Sequence, residues 1–301
     1  MDIKHIGVVG AGTMGIGVSH LFAEAGYAVT LMDIDADALD RARAEIARNI
    51  RFYPALRKGR LPAPAPSLPA EGILANISFT EAVEDLGSAQ FVVENATENW
   101  DVKKAIFPEL DRVCPSECVL AVNTSAIPIT KIAGLTKRAD RVVGTHFMNP
   151  APLKPLIEVI RGYHTSPDTI RLTQDLLAAS GKESTVVADS PGFVTNRVLM
   201  LTINEAIFLL HEGVSNPTDV DRLFKKCFGH TMGPLETADL IGLDTILYSL
   251  EVLLDNFEDP KYRPCVLLKQ LVDAGHLGRK SGRGFHTYDE RGILSEETTR
   301  A

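Results

Sequence analysis

Near the start of the chain, the hydrophobic positions follow a strand pattern, then a helical pattern, then a second strand pattern. Short apolar runs rich in β-branched residues occur at 5–9 and 28–33, and such runs predict buried strands. Between them, Met14, Val18 and Leu21 recur at the spacing of one helix face. The chain therefore begins with a predicted β-α-β unit.

Three later apolar runs, at 91–99, 119–127 and 141–150, pass from predicted strands into polar residues. Runs at 155–162 and 184–192 predict two further strands. In an open α/β sheet, the carboxyl ends of the strands line the ligand crevice. We therefore expect one site to contain the polar side chains that end the first three runs, which are Glu94, Asn95 and Glu98, then Asn123, Thr124 and Ser125, then His146 and Asn149.

From Gly192 onward, the strand patterns give way to helical spacing. Apolar residues lie on more than one face of the segment 193–213, which predicts a heavily buried helix. Three more helices are predicted at 218–229, 234–257 and 265–276. So much apolar helix surface in a small domain favours packing against a second subunit as well as against its own core. We predict an α/β Rossmann-type dinucleotide-binding domain followed by an all-α C-terminal domain.

The glycines Gly10, Gly12 and Gly15 form the pattern G-x-G-x-x-G between the first predicted strand and helix. In a dinucleotide-binding turn, the first glycine turns the chain, the second admits the pyrophosphate and the third lets helix and strand pack closely. The helix N-terminus then offers free N–H groups to the phosphates. Asp33 and Asp35 follow the second strand, where a carboxylate accepts hydrogen bonds from the ribose and repels a 2′-phosphate. NAD is therefore predicted over NADP, and a purely structural turn is the alternative.

The composition narrows the classes of partner. The 301-residue chain has a net charge of −8 and a pI of about 5.5, which disfavours nucleic acid or an anionic membrane. No apolar run reaches the roughly 18 residues of a membrane span, and no signal segment is recognised before the first strand. The four cysteines show no CxxC spacing, so no metal site is predicted. These features favour a reduced cytoplasmic protein.

His146 and Glu158 form a candidate catalytic pair. Three prolines lie between them and favour a hairpin-like return that sets Glu158 beside the imidazole. A carboxylate on one ring nitrogen fixes the tautomer and raises the base strength of the other. The alternative is a core histidine and an edge-strand charge, but an unpaired charge between apolar neighbours is costly. Ser125 and Asn149 are expected in the same crevice, where they can hold a substrate carbonyl or the nicotinamide amide.

A basic run formed by Arg57, Lys58 and Arg60 ends a charged, helical segment that begins at Asp37. The proline-rich stretch 61–72 follows it. Within an acidic chain, such a run favours either contact with a phosphate-bearing substrate tail or an ordinary solvated helix end. The sequence leaves both interpretations open.

Several motifs occur in a fixed order along the chain: GAGTMG, ENATEN, NTSAIPIT, HFMNPAP, IEVIRG, DSPGFVTNR, GPLETADLIGLD and GRKSGRGF. Together they closely resemble the L-3-hydroxyacyl-CoA dehydrogenase family, in its 3-hydroxybutyryl-CoA dehydrogenase-like branch, from residue 3 to about residue 289. The resemblance implies an NAD-binding Rossmann domain at 1–186 with an inserted helical hairpin at about 37–75. It also implies a helical dimerisation and substrate domain at 187–301. The implied reaction, part of fatty acid metabolism, is NAD-dependent oxidation of an L-3-hydroxyacyl thioester at C3, or the reverse.

The resemblance also implies roles for individual residues. His146 is similar to the family's catalytic base and Glu158 to its orienting partner, while Ser125 and Asn196 match residues that polarise the substrate oxygens. The positions that match the family's cofactor site are Gly10, Ala11, Gly12, Thr13, Met14, Gly15, Asp33, Glu98, Lys103, Ser125, Asn149 and Lys280. Arg57 and Lys58 are candidates for contact with a phosphate of the substrate's carrier.

The chain departs from the family pattern in two places near the acyl carrier. Its lysine, Lys154, stands one place earlier than in relatives, and Pro155 fills the usual place. The stretch 61–72 replaces a Lys-rich hairpin that holds the coenzyme A tail. An alternative substrate is therefore a 3-hydroxyacyl group tethered to an acyl carrier protein, as in polyketide extender-unit biosynthesis. Dehydrogenases of free hydroxy acids, such as gulonate, and non-catalytic crystallin-like proteins are further alternatives.

Overall fold

The structure, a computed structural model, describes most of the chain in three segments: 3–57, 69–125 and 127–295. The chain divides into two compact units, unit 1 ending at Ser190 and unit 2 starting at Pro191. The division falls beyond residue 186, where the sequence analysis placed it, because the last strand of unit 1 continues to Ala188.

Unit 1 is built on one eight-stranded sheet. Its strands in chain order are β1 (His5–Val9), β2 (Ala28–Met32), β3 (Ile77–Thr80), β4 (Phe91–Glu94), β5 (Val119–Val122), β6 (Val142–His146), β7 (Leu156–Arg161) and β8 (Glu183–Ala188). The order across the sheet is β3-β2-β1-β4-β5-β6-β7-β8. All neighbouring strands are parallel except β6 and β7. The residues of β4 and β5 are all buried, which is why these strands are continuous apolar runs in the sequence.

The edge strand β3 is not predicted by the sequence patterns. Its four residues include only one buried side chain, Ile77, because an edge strand needs little apolar surface. The helices of unit 1 are α1 (Thr13–Glu24), α2 (Ala36–Arg57), α3 (Ala70–Ala75), α4 (Trp100–Val113), α5 (Ile129–Ala133) and α6 (Pro167–Ala179). In the region of the expected hairpin, α2 and α3 pack against each other and against α1.

The antiparallel pair of β6 and β7 creates the candidate site. The connection 147–155 is too short for the crossover helix that parallel neighbours require, so the chain returns in the opposite direction. In the resulting register, His146 lies directly opposite Glu158, and this is the pair nearest the connection. The predicted hairpin-like return between these two residues is confirmed.

Unit 2 is helical. Its helices are α7 (Thr195–His211), α8 (Pro217–Cys227), α9 (Pro234–Ile241), α10 (Leu243–Phe257) and α11 (Val266–Asp273). The prediction of a single helix over 234–257 is wrong. Gly242 adopts φ 106° and ends α9. Residues other than glycine rarely adopt this conformation. A buried apolar cluster that includes Ile203, Leu235 and Leu250 forms the core of this unit.

Two buried aspartates hold the glycine-rich C-terminal segment of unit 2. The Asp239 carboxylate on α9 accepts hydrogen bonds from the His286 backbone N–H at 2.9 Å and from the Tyr288 hydroxyl at 2.9 Å. The Asp221 carboxylate on α8 accepts from Leu235 N–H at 2.8 Å and lies 2.7 Å from Nε2 of His286. The segment itself forms isolated β-bridges, so unit 2 is predominantly rather than wholly α-helical.

Candidate active site

The turn between β1 and α1 has the geometry of a dinucleotide-binding loop. Gly10 adopts φ 95°, and a Cβ placed on it would come within 2.9 Å of the backbone of Asn95. A Cβ on Gly15 would lie 1.7 Å from the Gly10 carbonyl oxygen. A Cβ on Gly12, in contrast, would meet no atom within 4 Å. The first and third glycines are thus required by close packing, whereas the second leaves open space at the helix N-terminus.

This open space fits the pyrophosphate of NAD. No side chain caps the N-terminus of α1, so its first N–H groups point into the space without a side-chain acceptor. Ala11 N–H donates to Oδ2 of Asp33 at 2.6 Å, which ties the loop to the end of β2. Asp33 is only half-buried, so its carboxylate keeps exposed surface for a ribose hydroxyl.

Ser125, His146 and Glu158 form one hydrogen-bonded line at the carboxyl end of the parallel strands. Nδ1 of His146 lies 2.9 Å from Oε2 of Glu158, and both side chains are buried. Because a carboxylate only accepts, Nδ1 carries the proton and Nε2 is left as the acceptor. The Ser125 hydroxyl lies 3.2 Å from Nε2. A histidine held in this tautomer can take a proton from a hydroxyl placed at Nε2.

Glu98 shapes the loop that presents Ser125. Its Oε1 accepts hydrogen bonds from the backbone N–H groups of Ser125 at 3.2 Å and Ile127 at 3.4 Å, and also from the Thr124 hydroxyl. The predicted contact between Glu98 and the cofactor stays a prediction. The observed hydrogen bonds show that the Glu98 carboxylate fixes the position of Ser125.

Two asparagines that the sequence analysis expected in the site, Asn95 and Asn123, join three strands. The Asn123 side chain donates to Oδ1 of Asn95 at 2.7 Å, and its own Oδ1 accepts from Phe147 N–H at 3.2 Å. Phe147 directly follows His146, so this amide chain links the ends of β4, β5 and β6 beside the imidazole. The sequence signal for these asparagines is their position directly after apolar strands. Their hydrogen-bond partners could not be predicted, because they depend on the order of the strands in the sheet.

Lys103 is buried in an ion pair, and its predicted contact with the cofactor stays a prediction. Its Nζ lies 2.7 and 3.0 Å from the two carboxylate oxygens of Glu94, and both side chains are fully buried. Burial raises the pKa of the Glu94 carboxyl, and the ammonium of Lys103 opposes that shift. The lysine is therefore part of a buried ion pair below the site.

Arg57, a candidate for contact with a phosphate of the substrate's carrier, is buried at the end of α2. Its guanidinium is buried and makes a bidentate ion pair with Glu24 on α1, at 2.6 and 2.7 Å. Such a pair leaves little exposed positive charge for a phosphate, and the predicted contact of Arg57 stays a prediction. Lys58, the second candidate, lies outside the described residues.

Three predicted site residues have positions but no demonstrated role. Asn149 is exposed at the start of the connection from β6 to β7. Asn196 is half-buried in the first turn of α7 in unit 2. Lys280, also in unit 2, forms an ion pair with Asp244 in which both Nζ–Oδ distances are 2.6 Å. Their contacts with cofactor or substrate stay predictions.

Among the described residues, no group of three or more histidine, cysteine, aspartate and glutamate side chains is arranged to hold a metal ion. In the same part of the chain, none of the helices is long and apolar enough to cross a membrane.

An oriented histidine at the carboxyl end of a dinucleotide-binding sheet is the arrangement expected of nicotinamide-dependent dehydrogenases. Comparison with known families is more specific. The model of the 3-hydroxyacyl-CoA dehydrogenase NAD-binding domain matches residues 5–190, and the model of the C-terminal domain of the same enzymes matches residues 192–288. The chain belongs to the 3-hydroxyacyl-CoA dehydrogenase family and is an NAD-dependent oxidoreductase.

Individual relatives agree with this assignment. The chain is 44% identical over 295 residues to a probable 3-hydroxybutyryl-CoA dehydrogenase of Bacillus subtilis, covering 97% of this chain and 99% of the relative. It is 43% identical over 286 residues to a 3-hydroxybutyryl-CoA dehydrogenase of Bradyrhizobium diazoefficiens, covering 95% and 96%. The crystal structure of (S)-3-hydroxybutyryl-CoA dehydrogenase from Ralstonia eutropha is similar with a TM-score of 0.87 and 41% identity, covering 96% of this chain and 100% of that one.

Proposed function

We propose that this protein oxidises the 3-hydroxyl group of a short L-3-hydroxyacyl-CoA thioester, or reduces the corresponding 3-oxoacyl thioester. The observation that carries the proposal is the line from Ser125 through His146 to Glu158 at the cofactor end of the sheet. Relatives named 3-hydroxybutyryl-CoA dehydrogenase support the substrate class.

In the oxidative direction, Nε2 of His146 takes the proton of the substrate hydroxyl. NAD⁺, which the glycine loop and Asp33 would hold, would supply the acceptor for the hydride on the carbon that bears this hydroxyl. Glu158 stabilises the imidazolium that forms, and Ser125 donates a hydrogen bond to the substrate oxygen as it becomes a carbonyl. We assign to Asn196 the polarisation of the thioester end of the substrate, with support from its match to the family pattern.

A substrate panel tests this function. Acetoacetyl-CoA, longer 3-oxoacyl-CoA esters and free 3-oxo acids are each offered with NADH and with NADPH, and the loss of reduced cofactor is followed. We expect turnover of the short CoA thioesters with NADH and much slower turnover of the free acids. Faster turnover of a free 3-oxo acid than of any thioester would overturn the proposal.

A second candidate substrate is a 3-hydroxyacyl group on an acyl carrier protein, which shares the phosphopantetheine arm of coenzyme A. One observation favours this candidate. Arg57 forms a buried ion pair with Glu24, so its guanidinium is not exposed for contact with a phosphate of coenzyme A. The carrier-loaded 3-oxoacyl group is therefore added to the panel. No gain in kcat/KM over the CoA ester would exclude this candidate.

We also propose a homodimer that forms through unit 2. Several large apolar side chains of this unit are exposed in the single chain, including Val198, Leu223, Leu240 and Val266. Contact with a second copy would remove such side chains from water. Sedimentation should give twice the 32.7 kDa mass of one chain, and a monomer at micromolar concentration would contradict the proposal.

A further inference from the structure

The loop 147–155, which joins β6 to β7, is held by buried cations from two other elements. Pro150, Pro152 and Pro155 have no N–H group, so few backbone donors are available to stabilise the loop. Nζ of Lys182 donates to the carbonyl oxygens of Pro152 at 2.9 Å and Lys154 at 2.8 Å. Side-chain donors thus take the place of the backbone donors that the prolines lack.

A second cation meets the same loop. Nη2 of Arg57, at the end of α2, donates to the Pro152 carbonyl oxygen at 3.1 Å while the guanidinium also holds Glu24. The Pro152 carbonyl therefore accepts from two cationic groups. Because charge-assisted hydrogen bonds are stronger than neutral ones, this carbonyl is firmly held.

These groups form a charged cluster in an otherwise apolar region. Lys182 and Arg57 are 7% and 9% exposed, and Glu24 is paired with Arg57, so the cluster holds two positive charges and one negative charge. Burial, reinforced by the charge of Arg57, lowers the pKa of Lys182 to about 8. His20 on α1 also faces the cluster, and burial lowers its pKa to about 4, so it is neutral near pH 7. Burying an excess positive charge is costly, and an apolar side chain would fill the same volume without that cost.

The position of the loop determines the geometry of the catalytic pair. The pair of His146 and Glu158 is the last one in the β6–β7 ladder, directly before the loop. The loop also packs tightly on α1, where a Cβ added to Gly17 would lie 3.3 Å from Cβ of Ala151. Any shift of the loop would therefore be transmitted first to the contact between the imidazole and the carboxylate.

We propose that Lys182 and Arg57 are positioning residues for the reaction: by fixing the carbonyl groups of Pro152 and Lys154, they hold Glu158 against His146. The inference rests on the proposed function, because the imidazole it serves is the base of that reaction. Neither cation touches the reacting atoms.

The test compares Lys182→Met and Lys182→Arg with a matched surface control, Lys137→Met. We measure kcat for oxidation of 3-hydroxybutyryl-CoA by NAD⁺ across pH 6 to 10, because a rise in pH does not remove the neutral imidazole that takes the proton in this direction. NADH affinity is measured by energy transfer from Trp100, the single tryptophan. Lys182→Met should lower kcat by roughly 10- to 100-fold, since a misplacement of about 1 Å costs on that order. NADH affinity should stay within about twofold of the wild type, because the glycine loop is intact.

The pH profile separates positioning from simple packing. In the wild type, kcat should fall as pH rises through about 8, where Lys182 loses its charge. In Lys182→Arg, which keeps its charge at every pH tested, this fall should be absent and kcat near pH 7 should stay within a few-fold of the wild type. A Lys182→Met enzyme with the kcat and pH profile of the Lys137→Met control would overturn the proposal. Loss of NADH affinity in proportion to kcat would also overturn it.

A second readout does not depend on turnover. Hydrogen exchange, followed by mass spectrometry, should accelerate in the segment 150–158 of Lys182→Met and Arg57→Met, and should be unchanged in unit 2. If the wild type turns over no 3-oxoacyl thioester, the proposed function fails. The hydrogen-exchange rates then test separately whether Lys182 and Arg57 hold the loop. An unchanged exchange rate in 150–158 of both variants would refute that they do.

Discussion

At the scale of single residues, unit 1 uses its buried charges in two ways. The pair of His146 and Glu158 keeps one imidazole nitrogen, Nε2, available for chemistry. Lys103 instead forms a fully buried ion pair with the carboxylate of Glu94. His20 is a third kind of buried group: it stacks on Tyr53 at 5.4 Å between ring centroids and stays neutral because of burial.

The neutral state of His20 predicts a loss of stability in acid. Its pKa is about 4 in the folded protein against 6.5 in the unfolded chain, so the unfolded chain binds more protons between these values. The free energy of unfolding should therefore fall as pH drops from 6.5 to 4, by roughly 3 kcal/mol from this group at most. His20→Phe, which keeps the stacked ring, should lack this part of the pH dependence.

Urea unfolding at several pH values between 4 and 7 measures the effect. The exposed residue His164 supplies the control, and His164→Phe should show the pH dependence of the wild type. Equal acid sensitivity of His20→Phe and the wild type would contradict the prediction.

The sequence could identify residues such as His146 and Glu158 because the chain connecting them is short and its geometry is restricted. It could not identify the partners of Lys103 and Arg57. A basic side chain on a helix is usually solvated, and only the packing of α4 over β4 and of α2 on α1 shows which carboxylate lies within reach. Partners within one hairpin are thus predictable, whereas partners from separate elements depend on packing.

At the scale of elements, the turn from β1 to α1 has three glycines with different tasks. Gly12→Ala should leave the free energy of unfolding nearly unchanged, because its Cβ would meet no atom within 4 Å. The same Cβ would occupy the space open to the pyrophosphate, so NADH affinity should fall by at least about tenfold, a loss of about 1.4 kcal/mol. Gly15→Ala should instead destabilise the fold, since its Cβ would lie 1.7 Å from the Gly10 carbonyl oxygen.

Thermal unfolding with and without NADH distinguishes the two variants. Gly12→Ala should unfold at the wild-type temperature without NADH but gain less stability when NADH is added. A Gly12→Ala protein that binds NADH as tightly as the wild type would show that the open space is not the pyrophosphate site.

Helices and strands with a long apolar pattern could be predicted from the sequence. A helix break caused by one residue and a strand at the edge of the sheet could not. The run over 234–257 has continuous helical spacing, yet the conformation of Gly242 divides it into α9 and α10. A glycine within a helical pattern is often tolerated, so the pattern alone does not predict the break. The edge strand β3 was missed for the opposite reason, because it has too little apolar pattern to be recognised.

At the scale of the whole molecule, an acidic protein binds a cofactor that is itself an anion. A net charge of −8 gives no general attraction for pyrophosphate, so the binding energy must come from local groups such as the N-terminus of α1. The family models match both units, and the proposed catalytic pair of His146 and Glu158 lies wholly in unit 1. The division into a cofactor unit and a helical unit was visible in the sequence as the change from strand to helical spacing near Gly192.

The central claim is that His146, held by Glu158, moves the proton in NAD-dependent oxidation and reduction at C3 of an acyl thioester. The most direct measurement is the rate of a single turnover of acetoacetyl-CoA by NADH bound to wild-type and His146→Gln protein, with NADH affinity measured in parallel through Trp100. We predict a rate roughly 10²- to 10⁴-fold lower in His146→Gln, with NADH affinity within about twofold of the wild type. A His146→Gln rate within threefold of the wild type, at equal NADH occupancy, would contradict the account.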